Sequence, residues 1–376
     1  MRPKYKVADV LNKHQHQLDS WCANTWKSRT LHAVRKCRTA ALGGHVDVCN
    51  CCDKIHLSYN SCRNRHCPTC QGHKREQWIK ARESEVLDVP YFHVVFTIPH
   101  ELNILSLSNP KLIYSSLFQS AWATLLGFSE NPNYLGARLG MIALLHTWGQ
   151  NLQLHPHLNC IVPSGGVSKY GKWKKSKNKG EFLFPVKEMS KVFRAKFVAE
   201  LRNSKELIPQ KLFDDLFKKQ WVVFTKKPFR NTFSVIEYLG RCSHKVAISN
   251  HRITNVDHVK NTVTFKLKNY KKDGSQELQT LSQKEFTHRF SLHILPKGFT
   301  RIRHYGILSG TWKKKHLKKL QKQLAKTVGQ VSVKQPVHRV CPSCKKGTLI
   351  TVFSFNKARP PPQIILKQLV KNVRLP

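Results

Sequence analysis

The sequence predicts an α+β fold: an antiparallel sheet flanked by helices, a small metal-stapled module ahead of it and a basic region behind. Three observations predict it. Runs of β-branched and aromatic residues alternate irregularly with helical periodicity and are joined partly by hairpin signals. Two Cys-x2-Cys pairs, Cys49/Cys52 and Cys67/Cys70, stand close together near the N-terminus. Lys and Arg number 65 against 21 Asp and Glu, a formal net charge of +44, while apolar residues still make up 40%, enough for a real core.

The N-terminal segment, 1–40, has a helical pattern in Val7, Val10, Leu11, Leu18, Trp21 and Cys22. A module over 41–89 follows. Four thiolates from Cys49, Cys52, Cys67 and Cys70 at one tetrahedral centre suit structural Zn2+, and roughly residues 43 to 75 then fold around metal rather than a large core. Cys62 and His66 lie in the same loop, with His45 just before it, as replacement ligands or as part of a second site. His73–Leu87 reads as a charged helix that stops before Pro90.

The largest region, 90–310, opens with the strand Tyr91–Ile98, closed by Pro99. Residues 111–127 and 135–152 read as helices. Leu158–Val162 is a second strand, leaving through Pro163-Ser164-Gly165-Gly166 into a hairpin whose far limb is Glu181–Phe184. Residues 187–218 look helical, Trp221–Thr225 extended, and Ser234–His244 a short helix. Val246–Leu267 holds two or three strands, with a turn at Asp273-Gly274. In the basic region, 311–376, Leu317, Leu320 and Leu324 stripe a lysine-rich helix, and Pro360–Pro362 mark a tail. Cys341-Pro342-Ser343-Cys344 is half of a second zinc ribbon; His338 is a candidate third ligand and no further Cys pair follows. Cys22, Cys37 and Cys160 lack metal spacing and read as core residues.

The charge excess is foreign to an enzyme of small metabolites and ordinary for a protein on phosphate backbones. No apolar run is long enough to span a bilayer and the N-terminus is polar, so the expected place is the cytoplasm, at the nucleoid, with cysteines reduced. Lys169 to Lys179 mixes lysines, among them Lys172, Lys174, Lys175 and Lys177, with the rings of Tyr170 and Trp173. Lysines track phosphates and rings stack on unpaired bases, so this run reads as a grip on single-stranded DNA or as a solvated hairpin tip. His155-Pro156-His157-Leu158-Asn159 opens the second strand. Alternation puts His155, His157 and Asn159 on one face, where imidazole and amide groups hold Mg2+ or Mn2+ or simply line a wet groove.

At these residues the chain resembles the IS-ninety-one family of rolling-circle transposases, within the HUH endonucleases. The resemblance rests on an ordered set: Leu42-Gly43-Gly44-His45, Tyr59 to Gln71, Thr97-Ile98-Pro99-His100-Glu101-Leu102, Trp148-Gly149-Gln150 to Gly166, Tyr238-Leu239-Gly240-Arg241, Val246 to Asn250, and Gly298 to Gly306. It implies an HUH-type sheet, a zinc module that helps recognise element ends, a divalent cation on the histidine strand and a tyrosine nucleophile. Two positions depart from the family pattern. Asn159 stands where the family has a third histidine, so the cation pair is His157 with Asn159 by position, or His155 with His157 by chemistry. Cys242 stands where many members have a second tyrosine.

On residues alone Tyr238 reads more plainly as a core tyrosine; the resemblance makes it the nucleophile, with Arg241 and Lys245 favouring its phenolate. A single-tyrosine scheme, or a homodimer supplying a second nucleophile, is then expected. The rivals are a plasmid replication initiator or relaxase of the same chemistry, and a DNA-binding relative that no longer cuts.

Overall fold

The computed structural model describes residues 3–21, 25–70, 79, 84–176, 183–226, 229, 234–235, 237–238, 240, 245–269, 272–324 and 339–356. In chain order its strands are β1 (Gly44–Cys49), β2 (Ile55–Tyr59), β3 (Tyr91–Thr97), β4 (Gly140–Trp148), β5 (Leu154–Pro163), β6 (Gly165–Val167), β7 (Trp173–Lys175), β8 (Val222–Lys226), β9 (Ile253–Asp257), β10 (Thr262–Asn269), β11 (Ser275–Ser282), β12 (Ile302–Gly306) and β13 (Leu349–Phe355). The central sheet has five strands in the order β12-β4-β5-β3-β8. Every pairing in it is antiparallel.

The pleat gives this sheet two unlike faces. Phe92, Val94 and Phe96 of β3, Met141, Ala143 and Leu145 of β4, and Leu158, Cys160 and Val162 of β5 point to one side. They pack under the helices Pro110–Glu130 and Val186–Arg202. Phe96 meets Phe193 edge-on with centroids 4.9 Å apart. Burying each such ring or Leu is worth ~1.5–3 kcal/mol, and the rest of the fold is built on this layer. On the opposite face Tyr91, Ile142, Leu144 and Ile161 are covered by Val235, Leu317 and Leu320. That face also carries a polar cluster beside this apolar patch.

A second apolar cluster packs Val7, Val10, Leu11, Leu31 and Val34 of the N-terminal helices against Val263, Phe265, Phe286 and Phe290. There β9, β10 and β11 form their own antiparallel sheet. Asp273 and Gly274, with φ of 48° and 76°, make the expected tight turn between β10 and β11. A third small sheet joins β1 to β2 and to the distant β13, the last described strand.

Several expectations are corrected. Residues 135–152 contain the wholly buried strand β4, not a helix. A strand buried on both faces shows no alternation, and a run such as Met141 to Leu145 has the same signature as a buried helix. The hairpin after β5 closes on Trp173–Lys175 rather than on 181–184, with Gly165 paired to Lys175. Residues 187–218 form two helices, Val186–Arg202 and Gln210–Lys218. Pro209 caps the second, because proline fits the start of a helix but breaks its interior. Most of the expected helix His73–Leu87, together with Cys22, Lys177, Arg241, Cys242, His338 and Pro360–Pro362, lies outside the described residues. No helix among the described residues is long and apolar enough to cross a membrane.

Candidate active site and metal centres

The cysteines form two sets of four, not one. Cys37, Cys62, Cys67 and Cys70 converge, and so do Cys49, Cys52, Cys341 and Cys344; within each set the sulfurs lie within 4.8 Å of one another. The expected grouping of Cys49 and Cys52 with Cys67 and Cys70 fails for a geometric reason. Cys49 and Cys52 sit at the turn of the β1–β2 hairpin, while Cys62 follows β2 at its open end. At ~3.3 Å per residue, the strands hold turn and open end roughly 17 Å apart.

At the open end Cys62 meets Cys37, which follows the helix Thr25–Arg35, so Cys37 is a ligand candidate rather than a core residue. His66 stays out of both sets: its ring is buried beside Arg65, with Arg65 Nε donating at 3.3 Å. Burial first, then Arg65, Arg301 and His293, hold its pKa well below the ordinary value. The sulfur separations are 3.8 Å for Cys62–Cys70 and 3.7 Å for both Cys49–Cys344 and Cys52–Cys341. Zn–S bonds of ~2.3 Å in a tetrahedron require an edge of about 3.8 Å. Both sets therefore fit structural zinc.

Polar positions clustered on the central sheet's second face include His93 on β3, His146 on β4, and His155, His157 and Asn159 on β5. Register places them together: Asn159 stands opposite Val95 and Leu144, and His157 opposite Thr97 and His146. Pro156, near the start of β5, interrupts the ladder where an absent N–H matters least. Asn159 is buried and its amide is engaged. Oδ1 lies 2.9 Å from His93 Nε2, and Nδ2 lies 3.0 Å from His146 Nδ1.

Tyr238 reaches this cluster from across the sheet. Ser234, Val235, Glu237, Tyr238 and Gly240 are helical. Val235 anchors that segment in the apolar layer, and the half-buried Tyr238 packs its ring against Phe229 and His93, centroids 5.2 and 4.8 Å away. Its Oη lies 2.8 Å from His93 Nε2 and 3.3 Å from Asn159 Oδ1.

The proton positions follow from the partners. His157 Nδ1 lies 2.8 Å from the His155 carbonyl, which only accepts, so Nδ1 carries the hydrogen and Nε2 presents a lone pair. Burial pushes the His157 pKa down to about 4, so the ring stays neutral at ordinary pH. The His155 ring is 5.2 Å away and exposed, and the His146 ring is 5.4 Å away. With the Asn159 amide oriented as above, His93 Nε2 carries a hydrogen and donates to Oδ1. Burial also lowers the His93 pKa.

Sequence reasoning missed His93 and His146. The available signal was a single polar residue on the alternate face of an otherwise apolar strand. It also missed a basic, aromatic edge at β12, where two adjoining clefts of about 410 and 740 Å³ share Arg138 and Trp312. Lys174 and the exposed Tyr170 line the larger cleft, and Lys315 and His316 the smaller. Lys172, Lys174 and Lys175 are exposed as expected. The Trp173 ring lies over Gly165, where a Cβ would come within 2.7 Å of it, so much of that ring is spent on packing.

Residues 140–316 match the family described as "Putative transposase", and residues 9–98 the family described as "Transposase zinc-binding domain". The chain is 37% identical to "Putative transposase y4qJ" of Sinorhizobium fredii, over 95% of this chain and 97% of that one. It is 28% identical to "Transposase for insertion sequence element IS801" of Pseudomonas savastanoi pv. phaseolicola, over 78% of this chain and 73% of the other. No solved structure matches the chain.

Proposed function

The chain belongs to the IS-ninety-one family of transposases, and we propose that it nicks and rejoins single-stranded DNA through Tyr238 during rolling-circle transposition, on an HUH-type sheet. The observation that carries this reading is the approach of Tyr238 Oη to His93 and Asn159 on the histidine face. At this position His93 offers a nucleophile a donor for its developing charge.

In this reading Tyr238 Oη forms a bond to a backbone phosphorus as the bond from phosphorus to the 3′ oxygen breaks. Tyr238 Oη gives its proton to solvent, the leaving 3′ oxygen takes one from solvent to become a hydroxyl, and the phosphotyrosyl ester preserves the bond energy for rejoining. The single His93 Nε2–H, which Asn159 Oδ1 accepts in the resting site, is the hydrogen that turns to the phenolate. Because the Asn159 amide is occupied and its Nδ2 takes the His146 Nδ1 lone pair, His155 and His157 are the donors suited to Mg2+ or Mn2+. Such a cation, when bound, polarises the scissile phosphate. The exposed lysines of β7, Tyr170 and the Arg138–Trp312 edge hold the strand, and the zinc module contributes to recognition of element ends.

The test is a single-stranded oligonucleotide from an element end, incubated with the protein and Mn2+. A covalent protein–DNA adduct and a free 3′ hydroxyl are expected, and both vanish in Tyr238→Phe. Adduct formation undiminished in that variant would refute the assignment. A second reading, a DNA-binding protein that no longer cuts, is favoured by Asn159 in a histidine position. It predicts tight DNA binding with no adduct from the unaltered chain.

A further inference from the structure

We infer that Cys49, Cys52, Cys341 and Cys344 bind a second zinc ion, which clasps the C-terminal segment onto the N-terminal module. Cys341 and Cys344 lie outside both family-matched ranges, so the matches contain only half of this ligand set.

The two halves are copies of one local structure. In each Cys-x2-Cys loop a backbone N–H two residues on donates to the first sulfur: Cys51 N to Cys49 Sγ and Ser343 N to Cys341 Sγ, both at 3.4 Å. In each, the residue after the second cysteine adopts a left-handed backbone: Asp53 at φ 51° and Lys345 at φ 59°. Each closes its turn on the carbonyl of the first cysteine, at 3.1 Å from Asp53 N and 2.9 Å from Lys345 N. A lone cysteine pair needs none of this; paired turns that aim N–H groups at sulfur are what thiolates bound to a cation require. His56 Nε2 adds a further contact, 3.4 Å from Cys341 Sγ.

The clasp has its own latch. All six residues of β1 pair with β13, from Gly44 opposite Phe355 to Cys49 opposite Leu349. The buried Asp47 carboxylate accepts from Thr351 Oγ1 at 2.8 Å and pairs with Arg339 at 2.6 Å. Asn50 and Thr348 exchange two hydrogen bonds, at 3.1 and 2.8 Å. Gly347 passes so close to the set that a Cβ there would lie 2.5 Å from Cys49 Sγ. The chain that leaves the basic helix Gly310–Leu324 is thus brought back and fastened to the N-terminal module, some three hundred positions away in sequence.

The experiment is elemental analysis of the purified full chain, with X-ray absorption at the zinc edge. Two zinc ions per chain are expected, each with four sulfur neighbours at ~2.3 Å. Cys341→Ser/Cys344→Ser should halve the content to one. One zinc in the unaltered chain, nitrogen or oxygen donors in place of the second sulfur set, or two zinc ions retained by the double variant would each overturn the inference. The first two results do not depend on the variant folding, and none of them bears on Tyr238.

Discussion

The cysteine sets and the histidine face both gather side chains of types that can hold a metal, and they differ in completeness. Each cysteine set brings four sulfurs within 4.8 Å, with spacings that already match a tetrahedron. Among the described residues, no three of the histidines on the sheet converge in that way. The chain supplies all four donors where the task is to hold a fold together. On the proposed reading the histidine face supplies only part of a donor set and leaves room for the oxygens of a phosphate.

Breaking the closed side should have the largest effect. Zinc binding to structural sites contributes on the order of 10 kcal/mol, so Cys67→Ser in the set beside the second apolar core should abolish cooperative thermal unfolding. The same substitution at the half-exposed Cys344 should leave the central sheet folded and lose only one zinc. If both variants unfold alike, the two sets are not the separate devices described above.

On the open side, His93→Phe removes the donor facing Tyr238 Oη while keeping a ring in the apolar strand. Loss of one such donor costs about 10²–10³ in rate, so single-turnover cleavage should fall by that amount with DNA affinity unchanged. An equal loss of DNA binding would reassign His93 to substrate contact. Asn159→Ala frees His93 and His146 from their shared partner and should also slow cleavage, whereas His155→Ala or His157→Ala should raise the Mn2+ concentration needed for half-maximal rate. A rise in that concentration for Asn159→Ala alone would make the amide the ligand.

A smaller effect concerns pH. His293 is buried between Thr147 Oγ1 at 3.2 Å and the Leu152 carbonyl at 3.0 Å, and burial lowers its pKa to about 4. The unfolded chain binds that proton near ~6.5, so stability is complete above ~6.5 and falls as pH drops toward 4, by ~3 kcal/mol. Denaturant midpoints measured across that range should show the decline, and His293→Gln should remove the His293 share while leaving that of His157 and His66.

How much of this was legible in the sequence depends on how far each feature reaches along the chain. The strand at Tyr91, the helix at Pro110 and the Asp273-Gly274 turn are local, and residues alone locate them. So is the shared face of His155, His157 and Asn159, because strand alternation sets it. Strand β4 was lost because full burial erases the period that separates strand from helix. The partners of each cysteine pair were lost because spacing within a pair says nothing about which end of a hairpin it occupies. Cys37 had no sequence neighbour to advertise it, and His93 became a site residue only through its register against β5.

The most direct measurement is peptide mapping of the covalent complex formed by the full chain with single-stranded element-end DNA and Mn2+. A nucleotide remnant on the peptide containing Tyr238, attached through a 5′ phosphate, is the predicted result. A remnant on any other residue, with Tyr238 unmodified, would contradict the placement of the nucleophile on the histidine face.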